Sequence, residues 1–204
     1  MAKETAQNGA DGATASSAAD APVFDPKKTD EAAKRRPTVS HMLGEIVWLL
    51  TQSPTHKHFA MTDLEWLIMP PLLLEQYRVF HGETTPVGLA LWAWLSPEAE
   101  AKLNAGAGRL RPDEWRAGGL GVAHLQDALG GGDGGADGAQ AGKTQGNLWL
   151  VDLIAPFATP DNKMVEAMLA DLMQTAFKGQ TFRFHKTDPA TGKRDVLTLK
   201  GVDA

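Results

Sequence analysis

The sequence predicts an α+β domain in which helices pack on one mixed, mainly antiparallel sheet. Three observations carry that prediction. Residues 86–95 and 148–157 are apolar runs of strand length, with residues of both parities apolar, as in buried strands. Apolar residues recur at helical spacing from Met42 to Leu50 and from Met164 to Phe177. The candidate elements follow in the order α, α, β, β, α, β, α, β, β. That is not the strict alternation of a parallel α/β fold.

Residues 1 to about 37 are rich in Ala, Asp, Lys, Ser, Thr and Pro, with few large apolar side chains. Such a stretch buries too little surface to offset its ordering entropy, so it reads as a disordered N-terminal tail. Its cations Lys27, Lys28, Lys34, Arg35 and Arg36 read as solvated. The folded domain then spans 38–204. Met42, Leu43, Ile46, Val47, Leu49 and Leu50 predict its first helix, ended by Ser53-Pro54. Thr62-Asp63-Leu64-Glu65 has the form of a capping box, and Pro70-Pro71 is expected to stop the helix it opens. Strands follow at 76–80 and 86–95, joined by the turn His81-Gly82-Glu83. Ser96-Pro97-Glu98 starts a helix, with a cap residue and proline in the first turn.

Residues at about 118–146 are Gly, Ala, Asp and Gln at low complexity, and read as a flexible insertion within the domain. The chain re-enters the core with the strand at 148–157. Thr159-Pro160-Asp161 is expected to cap the long helix whose stripe includes Met164, Met168, Leu172 and Phe177, with Gly179 just past its end. Segments 180–185 and 196–200 predict a closing hairpin.

Composition excludes several function classes. The chain has 204 residues, a formal charge of −5 and no cysteine. Thiol nucleophiles, disulfides and thiolate metal sites are therefore absent. The acidic balance argues against general nucleic-acid binding. No apolar run approaches the roughly 20 residues of a membrane span. The N-terminus lacks the apolar core of a secretory signal, so the expected location is cytoplasmic.

Two residues carry the chemistry. His56 follows the first helix in Ser53-Pro54-Thr55-His56, and Asp152 is the lone charge in Val151-Asp152-Leu153-Ile154-Ala155-Pro156-Phe157. A carboxylate inside a strand costs several kcal/mol unless it is paired or protonated. A histidine partner would give a pair suited to acid–base work near neutral pH. Regular alternation places Leu148, Leu150, Asp152 and Ile154 on one face. Spacing alone leaves two readings of Asp152 even: a partner for His56, or an acceptor of backbone N–H bonds from a nearby loop.

Other signals are weaker. None of the six histidines falls at a tight metal-ligand spacing, so no metal site is expected. Arg116-Ala117-Gly118-Gly119-Leu120-Gly121 has an R-x-x-G-x-G form. It precedes the strand rather than joining strand to helix, so it reads as a chance match. The methionines read as core filler and most of the tryptophans as packing. Arg183, Lys186, Lys193, Arg194 and Lys200 read as a solvated hairpin face before they read as a dock for an acidic partner.

Several segments together resemble the RTX toxin-activating lysine acyltransferases. They are Leu43-Gly44-Glu45-Ile46-Val47-Trp48-Leu49 with Ser53-Pro54-Thr55-His56, then Ile68-Met69-Pro70-Pro71, Glu75-Gln76-Tyr77, Pro86-Val87 and Trp92-Ala93. Asp113-Glu114-Trp115 with Gly118 follows, and Val151-Asp152-Leu153-Ile154-Ala155-Pro156-Phe157 is the most specific. The family usually has glycine after that Pro-Phe, where this chain has Ala158.

The resemblance implies a GNAT-like acyltransferase sandwich, acyl carrier protein as donor through a 4'-phosphopantetheine thioester, and a lysine of an RTX protoxin as acceptor. A thioester donor is already activated, so no bound cofactor and no metal are expected. The resemblance places the essential histidine on His56 and the important aspartate on Asp152; Ser53 is expected to hold the histidine loop in place by a hydroxyl–backbone bond in a turn. His56 would take the amine proton as lysine attacks the thioester, or would itself carry the acyl group as an acyl-imidazole. A homodimer is an assembly to test for. Two rival classes are an acyl-carrier-protein-dependent N-acyltransferase acting on a small amine, and a non-catalytic binding module in which the pair is structural.

Overall fold

A computed structural model describes residues 22–35, 37–106, 109–115, 146–187 and 191–203. Among them, five strands form one sheet: β1 (Tyr77–His81), β2 (Pro86–Leu95), β3 (Asn147–Ile154), β4 (Thr181–Thr187) and β5 (Arg194–Lys200). They lie side by side in chain order. All neighbours are antiparallel except β3 and β4, which run parallel. A parallel pair needs a crossover, and the helix Met164–Gln174 supplies it. The α+β class and the mixed, mainly antiparallel sheet are as the sequence predicts. The Gly-rich segment, apart from Gly146, and the Arg116–Gly121 pattern lie outside the described residues.

Six α-helices complete the described structure: α1 (Pro26–Lys34), α2 (Val39–Gln52), α3 (Leu64–Leu67), α4 (Met69–Leu73), α5 (Pro97–Asn104) and α6 (Met164–Gln174). The sheet divides the apolar interior in two. Leu89, Leu91 and Ala93 of β2 face α2, α4 and the buried Trp115. Ala90, Trp92 and Trp94 face α6, Phe177 and Phe182. This double burial is why β2 reads as a continuous apolar run.

Three local features differ from expectation. The first is α1, which lies within the stretch that composition assigns to the tail. Asp25 caps it, its Oδ1 accepting from Lys27 N at 2.8 Å, and Pro26 opens its first turn. Phe24 packs edge-on against Phe80, Asp25 N donates to His81 O, and Thr29 Oγ1 accepts from His81 N. Arg78 donates to Asp30 at 2.9 Å. These contacts occupy the outer edge of β1, which would otherwise present unpaired backbone groups.

The second concerns Pro70-Pro71. They do not end a helix but lie in the first turn of α4. Proline is tolerated there because those N–H groups have no intrahelical acceptor. The expected Thr62 capping box is replaced by Asp63, whose Oδ2 accepts from Ala60 N at 2.9 Å. The third is the start of α6. Asn162, not Thr159-Pro160-Asp161, organises it: Oδ1 accepts from Thr159 N and Met164 N, and Nδ2 donates to Phe157 O.

The C-terminal end of β5 closes against α6. Gly201 N donates to Gln180 O and Val202 N to Met173 O. A Cβ on Gly201 would stand 1.8 Å from Phe177 O, which is backbone and cannot swing away. Gly201→Ala is therefore expected to destabilise the fold by roughly 1–3 kcal/mol, the usual cost of overpacking. Urea unfolding measures this directly, and an unchanged midpoint would show that the chain end is not docked this way.

Candidate active site

The site begins where α2 stops. Ser53 precedes proline, which disfavours helical backbone, and it takes φ −81°, ψ 122°. Its carbonyl then accepts from His56 N at 3.1 Å and Lys57 N at 2.9 Å, closing a tight turn. The turn folds the imidazole back over the buried Ser53 side chain, with Oγ 2.8 Å from Nδ1. Sequence reasoning gave the hydroxyl a backbone bond. Here the carbonyl makes the turn and the hydroxyl holds the ring.

The other ring nitrogen meets Asp152. His56 Nε2 lies 3.1 Å from Asp152 Oδ2, across 96 residues of chain. A β-bulge makes this contact. Leu91 pairs with Asp152 but Trp92 pairs with Leu150, so Val151 is an extra residue in β3. The extra residue reverses the alternation. Leu148 and Leu150 pack toward α6, whereas Val151 and Ile154 pack toward α2. Asp152 is thus not on the face of Leu148 and Leu150, as regular alternation predicts, but on the face from which His56 approaches. The ring is 11% exposed and the carboxylate 30%, so the pair sits at the edge of the core with the carboxylate partly open to water.

The two bonds specify a protonation pattern. An ionised carboxylate only accepts, so Nε2 carries the hydrogen and Nδ1 accepts from the Ser53 hydroxyl. If Nδ1 takes a proton, the hydroxyl can rotate and accept from it. Both charge states of the ring are then satisfied without movement of heavy atoms. Such a ring can receive and release a proton at little reorganisation cost.

An aromatic shelf adjoins the ring. Phe59 N donates to His56 O, and its ring meets the imidazole edge-on at 5.2 Å. Trp66 follows at 6.3 Å from Phe59. Trp66 Nε1 donates to Asp63, and its carbonyl accepts from Trp115 Nε1. The bond from Trp66, then the Ala60 N–H and Arg109, hold the Asp63 carboxyl below its ordinary range against the opposing effect of desolvation. Phe59, Trp66 and Arg109 were not singled out in the sequence. The available signal was an aromatic three residues after the candidate histidine.

The model of the RTX toxin acyltransferase family matches residues 35–120 and 137–199 of this chain. Both partners of the His56–Asp152 contact lie inside the match.

This chain belongs to the RTX toxin acyltransferase family.

It is therefore an acyltransferase. Relatives in the family include the RTX-II toxin-activating lysine-acyltransferase ApxIIC of Actinobacillus pleuropneumoniae. It is 25% identical over 164 residues, which cover 79% of this chain and 81% of the relative. The protein-lysine myristoyltransferase HlyC of Escherichia coli is 25% identical over 160 residues, 78% of this chain and 75% of the relative. The protein-lysine palmitoyltransferase CyaC of Bordetella bronchiseptica (strain ATCC BAA-588 / NCTC 13252 / RB50) is 25% identical over 129 residues, 63% and 55% of the two chains.

Other polar groups in this acyltransferase are placed differently. A second histidine–carboxylate contact joins His81 Nε2 to Glu45 at 3.3 Å, with His41 also 3.5 Å from Glu45. Burial alone would raise the Glu45 carboxyl, but His81 and His41 outweigh it and hold it below the usual range. A cleft of about 1180 Å³ opens beside this cluster, lined in large part by residues of α1, α2 and β1. His56 does not line it. The His81 ring has a buried Nδ1 without a hydrogen-bond partner, so its two nitrogens are not both engaged as those of His56 are. Several cations of the basic hairpin are already paired: Arg183 with Glu100 of α5, Lys193 with Asp195 and Lys200 with Asp203. Among the described residues, no group of three or more His, Asp or Glu is placed to hold a metal ion. No described helix is long and apolar enough to cross a membrane.

Proposed function

We propose that this acyltransferase moves a fatty acyl chain from the thioester of acyl carrier protein to internal lysines of an RTX-type protoxin, activating the toxin. The hydrogen-bonded line Ser53–His56–Asp152 supports this reading, because a histidine held between a carboxylate and a hydroxyl is suited to act as a base. The activities for which the relatives are named, lysine-acyltransferase and protein-lysine myristoyl- or palmitoyltransferase, suggest the substrate class. A cytoplasmic site of action belongs to the same reading.

The acceptor sets the chemical problem. A free lysine amine has a pKa of about 10.4, so presenting it neutral near pH 7 costs roughly 4–5 kcal/mol. The ammonium releases one proton to solvent; as the neutral amine nitrogen attacks the thioester carbonyl, its second proton passes to the Ser53 hydroxyl and the hydroxyl's own proton to His56 Nδ1. Asp152 stabilises the resulting imidazolium through Nε2–H. The C–N bond forms and the C–S bond breaks. The proton passes to the leaving sulfur, giving an amide and a free pantetheine thiol. The thioester is already activated, so the energy of transfer comes with the donor. Engagement of both ring nitrogens favours base catalysis over an acyl-imidazole, and trapping an acyl group on His56 would overturn that preference.

Ser53 follows the proton. Ser53→Ala leaves Nδ1 without its partner and frees the ring to turn. The expected result is a kcat lowered about tenfold, the worth of one hydrogen bond, in a protein that still folds. Ser53→Thr keeps the hydroxyl and should recover much of the rate. An unchanged kcat in the alanine variant would remove Ser53 from the reaction.

The reading itself is tested by intact-mass analysis of a candidate RTX protoxin incubated with this protein and acyl carrier protein charged with chains of several lengths. A fatty-acyl mass gain on toxin lysines is expected. No gain with any chain length, combined with acylation of a small amine, would replace the protein acceptor by a metabolite.

A further inference from the structure

The aromatic shelf beside His56 ends on a cation. Arg109 lies 5.0 Å from the Trp66 ring centre, and its side chain is 72% exposed. One Nη2 bond, at 3.2 Å, goes to Asp63. The guanidinium has five N–H donors, so most of its capacity remains for another acceptor. Asp63 accepts from Ala60 N, Trp66 Nε1 and Arg109, so its charge is well matched at the rim. Phe59, at 37% exposed, leaves the shelf open to solvent between His56 and Arg109.

We infer that this shelf receives the phosphopantetheine arm of the acyl donor, with Arg109 meeting the arm's phosphate. The inference rests on the reading of acyl carrier protein as donor. Length fits. The arm from sulfur to phosphorus has about as many bonds as four residues of extended chain, roughly 15 Å. The steps from His56 to Phe59, Trp66 and Arg109, 5.2, 6.3 and 5.0 Å, set an upper limit of comparable size on the His56–Arg109 separation, so the arm is long enough to reach Arg109 from a sulfur held at His56. Chemistry also fits. The arm carries amides, a hydroxyl and a gem-dimethyl group, which suit a half-exposed aromatic surface. It ends in a phosphodiester, which suits a planar guanidinium. An alkyl chain gains its burial energy only when removed from water, and this shelf is open and ends on a charge pair. The acyl chain therefore leaves His56 in another direction.

The test uses the whole protein and its Arg109→Gln variant, with saturating protoxin. The variant should raise the KM for acyl carrier protein donor about tenfold, one charge-assisted hydrogen bond, while kcat is unchanged. Acyl-4'-phosphopantetheine should be preferred over acyl-pantetheine by the native protein, and the variant should lose that preference. If neither small thioester turns over, phosphopantetheine and pantetheine are compared as inhibitors of the full donor, with the same expectation. Arg109→Lys keeps the charge but not the fork, and should fall between. Thermal melts of both variants separate a folding defect from a binding one. An unchanged KM in Arg109→Gln, or an equal loss with and without the phosphate, overturns the assignment. So does a change in preferred acyl length in Phe59→Ala, which would place the chain on the shelf. If the native protein transfers nothing from acyl carrier protein, the functional reading fails. If it transfers normally and the variants behave as native, only the shelf fails.

Discussion

Replacing His56 by alanine is expected to lower acyl transfer by about 10²–10⁴-fold, the usual worth of a positioned general base. Stability should change little. The ring is carried by the turn at the end of α2, and that turn is made by the Ser53 carbonyl, which the substitution leaves in place. Asp152 loses a partner but is exposed enough to be hydrated, so no buried charge is stranded. The rate is read as acyl mass gained by the protoxin per unit time, alongside a thermal melt of the variant. His56→Gln is the sharper companion, because its amide can hydrogen-bond but cannot take a proton at neutral pH. It should be nearly as inactive as alanine. A binding module predicts the opposite division: stability falls on substitution, and there is no transfer to lose. An active alanine variant would dismiss His56 both as base and as acyl carrier.

The second large effect is expected at Asp152. Asp152→Asn keeps the shape of the side chain and removes only its charge. The imidazolium formed during attack then lacks its counter-ion, and the tautomer is no longer specified, since an amide can donate as well as accept. A charge-assisted hydrogen bond contributes about 1.5–3 kcal/mol, so kcat should fall about 10–100-fold. KM for protoxin should hold, because the charge matters when the proton moves and not when the toxin docks. A raised KM with normal kcat would make Asp152 a docking residue. Loss of secondary structure in the asparagine variant would return Asp152 to the structural reading that its strand position also allowed.

Much of the fold was legible because local chemistry decides it. Ser96 accepts from Ala99 N at the start of α5, as a serine before proline predicts. The α2 stripe buries Met42, Ile46, Leu49 and Leu50, as its spacing requires. The hairpin of β1 and β2 closes at the turn that punctuates the sequence there. Misreadings occurred where a local rule had two outcomes. Pro70-Pro71 ends one helix or opens another with equal local sense, and packing of Leu72 into the core selects the second. Composition marked residues 22–35 as tail, because an average over residues does not register a single cap and a few contacts to an open strand edge.

For the candidate site, sequence alone supplied the candidates: a histidine held at a helix end by Ser-Pro, and a lone carboxylate in an apolar strand. Both follow from short-range preferences and from the cost of burying charge, which act at any residue regardless of what lies opposite. Only the tertiary structure decided that they meet. The bulge at Val151 depends on how β3 pairs with β2, and that register reverses every later side chain in the strand. Strand register is a property of two segments together, so no reading of one segment contains it.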